Sequence, residues 1–375
     1  LSGRSASVSS LTERLIRRID RGGPISLAEY MGLALTDPAA GYYSTKPPIG
    51  GRGDFVTAPE ISQMFGELIG LWCVDTWTRL GRPRPFQLVE LGPGKGTLLQ
   101  DALRAARVVP AFLDALSLKL VELSPLLRAE QKARLGPSGL PLAWHARLEE
   151  LPASPMILIA NEFFDALPIR QFERVGNGWA ERLVGLAPDG TTFRFHLGPA
   201  SPLLAHLLPP ALREAGPEDL PDGAVVEVSP AGQWVAAEIG RRLAADGGAA
   251  LIVDYGHTTA RSGITLQAVR GHRRWDVLRA PGEADLTAHV DFDSLAAAAA
   301  AEGATRLEPV EQGLFLERLG IGARAERLSA QAGPEQAAAI RSAHARLTAP
   351  AEMGQLFKVL ALCHGAELPL AGFSA

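Results

Sequence analysis

Phe86-Gln87-Leu88-Val89-Glu90-Leu91-Gly92-Pro93-Gly94-Lys95-Gly96-Thr97-Leu98-Leu99 is the stretch whose reading decides the fold. An apolar run with an acid near its end reads as a buried strand. Glycines at every second position follow, and Leu98, Leu99, Ala102 and Leu103 then recur at helical spacing. Glycine is needed where the backbone turns tightly or lets a ligand come close. A helix N-terminus behind such a turn offers free N–H groups to a polar or anionic ligand. The stretch is therefore predicted to be a nucleotide-type cofactor turn.

Outward from it, strand and helix alternate. Strands are expected over 86–91, 116–122, 141–144, 156–160 and 249–254, with helices over 97–107 and 125–135. This alternation implies an α/β fold, a mostly parallel sheet with helices on both faces. Ligands of such sheets lie beyond the carboxyl ends of the strands. Glu90, Glu122, Asn161, Glu162 and Asp254, each at or just past a strand end, should converge there. Between the fourth and fifth strands the texture changes. Residues 170–175, 179–186 and 191–197 read as antiparallel strands, with Pro188-Asp189-Gly190 as a turn. A Pro-rich connection, a strand over 225–228 and a helix over 234–243 follow. After the fifth strand come a helix over 293–302, a strand near 305–310, helices over 321–347 and a last strand over 357–363.

Upstream of the quoted stretch, Leu11, Leu15, Ile16 and Ile19 form one helical face. Ser26 and Glu29 have capping-box spacing. A long irregular segment carries Tyr42, Tyr43, Asp54 and Phe55, and such segments in compact domains are often functional. Thr57 with Glu60 is expected to start a helix that runs on through Trp72.

Bulk properties narrow the classes. The chain has 375 residues, 47% of them hydrophobic, and a net charge of −4, which does not suggest a nucleic-acid partner. No apolar run is long enough for a membrane span. Cys73 and Cys363 read as reduced, buried thiols of a cytoplasmic-type protein. The histidines and cysteines show no metal-ligand spacing, so no metal is expected. The first 23 residues hold five Arg against Glu13 and Asp20. They read as a surface helix or a mitochondrial address, with a bacterial cytoplasmic protein favoured and the mitochondrial matrix expected for a eukaryotic one.

The choice of cofactor turns on Glu90. A dinucleotide fingerprint spaces its glycines Gly-x-Gly-x-x-Gly, whereas here they stand at 92, 94 and 96. S-adenosylmethionine carries an ammonium group that a carboxylate near the turn complements, while a pyrophosphate would be repelled. Glu122, ending the second strand, can accept hydrogen bonds from both ribose hydroxyls, as acids in dinucleotide folds also do. Gly92, Gly94, Gly96, Thr97, Asn161, Asp54 and Thr57 complete the expected cofactor contacts.

Glu90-Leu91-Gly92-Pro93-Gly94-Lys95-Gly96-Thr97-Leu98 resembles motif I of class I methyltransferases. Further blocks are similar to the MidA family, whose mitochondrial members are the complex I assembly factor 7 proteins. These blocks are Asp37-Pro38-x-x-Gly41-Tyr42-Tyr43, Gly53-Asp54-Phe55, Asn161-Glu162-Phe163-Phe164-Asp165, Asp254-Tyr255-Gly256, Arg270-Gly271-His272 and Thr287-Ala288-His289-Val290-Asp291-Phe292. They run in family order over nearly the whole chain. The resemblance implies a class I, Rossmann-like, S-adenosylmethionine-dependent methyltransferase. The texture of the chain itself gives an N-terminal helical cap and active-site loop over 1–80 and a core over 81–375, with an antiparallel β/α insertion over 170–245. The resemblance also implies a protein-arginine methyltransferase acting on a complex I subunit or its bacterial counterpart, without membrane insertion. The oligomeric state is open, a homodimer included.

An arginine nucleophile is a cation and needs carboxylates to orient it and localise a lone pair. Glu162 and Asp165 are the candidates, and Phe163 and Phe164 would wall the pocket or pack beneath it. His289 is a third candidate, by analogy with the His-bearing loop of other arginine methyltransferases. Two other readings stand beside this one: a non-catalytic S-adenosylmethionine-binding assembly chaperone, and a methyltransferase for a small molecule. Glu90 disfavours a dinucleotide oxidoreductase.

Overall fold

The computed structural model describes residues 10–45, 56–215 and 218–373. By their internal packing they form two compact units, each made of three stretches of chain. One comprises Ile49–Asp165, Ala231–Ala260 and His289–Ala375; the other comprises Leu1–Pro48, Ala166–Pro230 and Arg261–Ala288.

The first of these units carries the quoted stretch. Phe86–Leu91 (β1) is buried along its whole length, as the apolar run demands of a strand covered on both faces. Leu116–Val121 (β2), Leu142–His145 (β3), Met156–Asn161 (β4), Gly248–His257 (β5) and Phe357–His364 (β6) complete the main sheet. Their order across it is β6-β5-β4-β1-β2-β3. β1 to β5 run parallel, and β6 lies antiparallel to β5 with Gly248 opposite His364. The expected parallel sheet is therefore present, with an antiparallel last strand. The strand expected near 305–310 is split into Thr305–Arg306 and Val310–Glu311, both paired with β6. Pro309 lies between them and cannot donate to a ladder.

The helix expected from Thr57 through Trp72 is also divided. Ala58–Ile61 and Gln63–Arg79 meet at Ser62, whose extended backbone lets its hydroxyl accept from the Met64 N–H at 3.2 Å. Serine offers the backbone a partner outside the helix, and here that cap outweighs continuation. The longer helix buries Trp72 and Trp77 in the sheet core, where Trp77 meets Phe86 and Phe112.

The other unit has a sheet of its own. Ile25–Ser26 pairs antiparallel with Gly178–Leu186, which also pairs with Arg170–Val175 and Phe193–Leu197; Val225–Val228 follows Arg170–Val175. The N-terminal stretch and the inserted strands thus share one sheet. The boundaries expected at residue 80 and over 170–245 do not coincide with these units. A three-stranded sheet of Arg273–Trp275, Gln267–Arg270 and Asp285–Thr287 has no counterpart in the sequence reading. Its strands are too short for their alternation to stand out from the surrounding loops.

The Asp37 and Tyr43 motif is explained within this second unit. Asp37 Oδ1 accepts from the Ala39 and Ala40 N–H groups and from Arg14 at 2.7 Å. Gly41 must be glycine, since a Cβ there would lie 2.4 Å from the Asp37 nitrogen. Tyr43 donates to Asp285 Oδ1 at 2.8 Å. Among the described residues, no helix is long and apolar enough to cross a membrane.

Candidate active site

Register brings the two key turns together. β1 and β4 are neighbours with Leu91 opposite Ala160, and the strand order reverses between them. That is the switch point at which open α/β sheets bind ligands. The glycine turn leaves β1 there, and Asn161-Glu162-Phe163-Phe164-Asp165 leaves β4.

The glycine turn is built for close approach. Gly92, Gly94 and Gly96 have φ of 58°, 50° and 78°, a region that side chains rarely enter. The Gly92 N–H donates to the Val121 carbonyl at 3.0 Å, which ties the turn to the end of β2. The helix Thr97–Ala106 starts directly behind it. Beneath the turn, Glu90 is buried, and its Oε2 has no hydrogen-bond partner among the described residues. Burial, reinforced by nearby Glu122, pushes the Glu90 carboxyl up to about 8. An unpaired buried acceptor is costly and calls for an explanation.

Glu122 is differently placed. Its Oε1 accepts from the Ser124 N–H at 2.8 Å and its Oε2 from Gln131 Nε2 at 3.1 Å. Burial raises its pKa, and these bonds oppose the rise. With the Leu123 N–H also bonding the carboxylate, three of its roughly four acceptor sites are taken, and about one stays for a ligand hydroxyl. Gln131 also donates to the Gly94 carbonyl at 2.7 Å and accepts from the Trp144 indole at 2.8 Å. One amide thus fixes the glycine turn, the β2 acid and the β3 aromatic together. Sequence reasoning passed over Gln131. Its signal was a polar residue between Leu127 and Leu135, at four-residue steps on the buried face of the helix Pro125–Leu135.

In the β4 turn, Glu162 forms no salt bridge among the described residues. Glu162 keeps part of its surface open and has φ 51°, uncommon for a residue with a side chain. Its Oε1 accepts from the Ala58 N–H at 2.9 Å and from Asn161 Nδ2 at 3.3 Å. Burial first, then Asp165, pushes the Glu162 carboxyl up to about 7; the hydrogen bonds from Ala58 and Asn161, then Arg346 in the helix Pro334–Thr348, oppose the rise. The Phe163 ring covers Gly92, where a Cβ would come within 3.0 Å of it, and Phe164 packs edge-on against Phe163. The phenylalanines therefore pack at the turn itself. The Asn161 side-chain oxygen is buried with no partner among the described residues.

The other expected residues fall variously. Thr57 makes no side-chain cap, contrary to the capping expected of it. Its backbone carbonyl takes the Glu60 and Ile61 N–H groups instead. The Glu60 carboxylate reaches across to accept from the Thr97 hydroxyl at 2.5 Å. Glu60 and Thr97 thus bolt the short helix to the cofactor turn. His289 lies edge-on to Tyr255, at 5.4 Å between ring centroids, one residue beyond Asp254. Asp54 falls outside the described residues. Among the described residues, no group of His, Cys, Asp and Glu is placed to hold a metal ion.

With this geometry in view, the comparisons are specific. A family model described as "Putative S-adenosyl-L-methionine-dependent methyltransferase" matches residues 68–310. The chain belongs to this methyltransferase family. It is 39% identical over 396 residues to the Drosophila melanogaster protein named "Protein arginine methyltransferase NDUFAF7 homolog, mitochondrial", covering 97% of this chain and 89% of that protein. It is 36% identical to the Homo sapiens "Protein arginine methyltransferase NDUFAF7, mitochondrial", covering 95% of this chain and 83% of the relative. A Burkholderia thailandensis protein described as a "likely methyl transferase", crystallised with S-adenosyl-homocysteine, superposes with a TM-score of 0.81 at 28% identity. That match covers 97% of this chain and 94% of the other.

The cofactor of this methyltransferase is S-adenosylmethionine. The residues present fit it. The unpartnered Glu90 oxygen suits an ammonium group or a water bound to one, the glycine turn admits a close ligand, and the Glu122 carboxylate at the end of β2 suits a ribose hydroxyl. A pyrophosphate at this turn would face the buried Glu90 carboxyl.

Proposed function

We propose that this methyltransferase acts on an arginine of a protein, with Glu162 and Asp165 receiving the guanidinium. The observation that carries the reading is the β4 turn. It sets Glu162, partly open and pushed up to about 7, beside Asp165 at the strand end next to the cofactor turn. A cation placed there offsets both the burial and the Asp165 repulsion that raise the Glu162 carboxyl. The relatives' names, protein arginine methyltransferases, support the same substrate class. The wider resemblance points to a subunit of respiratory complex I or its bacterial counterpart. The relatives named are mitochondrial, which supports the matrix for a eukaryotic source.

The cofactor supplies an electrophilic methyl group. The chain's own residues do the rest. Glu90, Glu122 and Asn161 orient the donor, and Glu162 and Asp165 turn the guanidinium nitrogen toward the methyl carbon. A new C–N bond forms as the C–S bond breaks, and the methylated guanidinium sheds one proton to water. Rate comes mainly from holding the two reactants in line. The deciding experiment incubates the protein with labelled S-adenosylmethionine and complex I subunits from cells deleted for the enzyme. Label on an arginine is expected. Bound cofactor without label on any subunit would end the reading for those substrates.

A further inference from the structure

A turn with a residue at φ 51° must be held by its surroundings, because left-handed backbone in a residue with a side chain is strained. The holding comes largely from two adjacent residues of β5. The Glu162 N–H donates to the Val253 carbonyl at 2.9 Å. Asp254 Oδ2 accepts from the Phe164 N–H at 3.0 Å and the Asp165 N–H at 3.2 Å. Asp254 Oδ1 accepts from the Tyr255 N–H at 2.9 Å, which fixes the rotamer of the carboxylate. Of the N–H groups at 162, 164 and 165, every one thus ends on β5.

We propose that Asp254 is the positioning residue of the methyl-transfer site, clamping the β4 turn so that Glu162 and Asp165 stand where the acceptor nitrogen must be held. This rests on the reading of those two acids as the acceptor grip. Asp254 has no exposed surface, so it acts through the turn and touches neither reactant. Among the described residues it forms no salt bridge, and burial, then Asp165 and Glu162, pushes it well above the ordinary carboxylate range. A buried acid facing two like-charged neighbours is an expensive way to stop a strand. Its return is geometric: one oxygen takes two successive amides and cannot do so unless the turn has this single shape. The backbone at 161–165 also carries Phe163 onto Gly92, so the same clamp sets the acceptor acids relative to the cofactor turn.

Asp254→Asn retains the size and offers one acceptor oxygen where two were used. Methyl transfer is measured on complex I subunits from cells deleted for the enzyme, beside S-adenosyl-homocysteine affinity by calorimetry. The expected result is a loss in kcat of about 10- to 100-fold, the scale of a roughly 1 Å misplacement, with cofactor affinity within about twofold of the parent. In the Glu162→Gln/Asp165→Asn background the further loss from Asp254→Asn should vanish, since it acts through those acids. Equal fractional losses in both backgrounds, or an unchanged kcat, would overturn the proposal. Should Asp254→Asn fail to fold, amide exchange in the parent decides: Phe164 and Asp165 should be as protected as the β5 ladder, and rapid exchange there refutes the clamp. If Glu162→Gln and Asp165→Asn leave kcat untouched, it is the acceptor reading that falls; if they lose activity while Asp254→Asn does not, only the clamp does.

Discussion

Glu67 and Glu162 are carboxylates of the same compact unit in opposite surroundings. Glu67, on the helix Gln63–Arg79, is bracketed by Arg104 at 2.9 Å and by Arg324 at 2.8 Å and 3.0 Å. Burial pushes its pKa up, but the two guanidinium groups outweigh that and hold it below its ordinary value. Glu238 is treated alike by Arg241 and Arg242. At the carboxyl end of the sheet the pattern inverts. Glu90 and Asp254, enclosed, and Glu162, partly open, have no salt bridge among the described residues, and all three are raised. Glu67 and Glu238 are held by arginines of the chain itself. Glu90 and Glu162, which face the cofactor turn and the acceptor side, have no such partner among the described residues, and Asp254 is held by backbone amides instead.

Substitutions can break this contrast. The largest effect is expected at the acceptor grip. Glu162→Gln and Asp165→Asn should each lower kcat about 10²- to 10³-fold, while S-adenosyl-homocysteine affinity by calorimetry stays near that of the parent. Next comes the donor side. Glu90→Gln should weaken S-adenosyl-homocysteine about 10- to 100-fold, the worth of one charge-assisted hydrogen bond, and calorimetry reads it directly. A change under twofold would remove Glu90 from the cofactor site. Glu67→Gln should do the reverse, leaving ligand affinity intact and costing about 2 kcal/mol of stability in denaturant titration. That is below the usual cost of breaking a buried pair because both arginines are partly exposed.

The last test sharpens the comparison through pH. Glu90 and Glu162 bind protons more tightly folded than unfolded, with folded values of about 8 and about 7 against an ordinary 4.5. The folded state therefore holds more protons between these limits, and stability of the ligand-free protein should fall as pH rises from about 5 to 8. Glu67 works with the opposite sign: its contribution is present above its ordinary value and is lost as pH falls below it. Melting midpoints across this range test both. A Glu90→Gln/Glu162→Gln variant should flatten the fall, and an unchanged slope would show that these carboxyls are not raised.

Much of this was legible in advance because it is local. The β1 run, the glycine spacing and the strand-end positions of Glu122, Asn161 and Glu162 are read from periodicity within a dozen residues. The break at Ser62 and the split at Pro309 were local too, but each is one residue overriding a longer pattern. Gln131, Glu60 and Asp254 were not legible as a group. Their roles depend on partners at Gly94, Thr97 and Phe164, reached only when separate helices and strands dock. The division into units was hidden for the same reason, since Ile25 pairs with Val184, far along the chain from it.

By itself, then, the sequence determined the α/β sheet, the cofactor turn and the family, since alternation, turn chemistry and motif order are written along the chain. Only the tertiary structure decided which of the acids would be left without a cation. That choice depends on strand register and helix docking, which place Arg104 and Arg324 on Glu67 and leave Glu90 and Asp254 unpaired. Burial then magnifies the difference, because a charge removed from water is governed by its few neighbours rather than by the solvent.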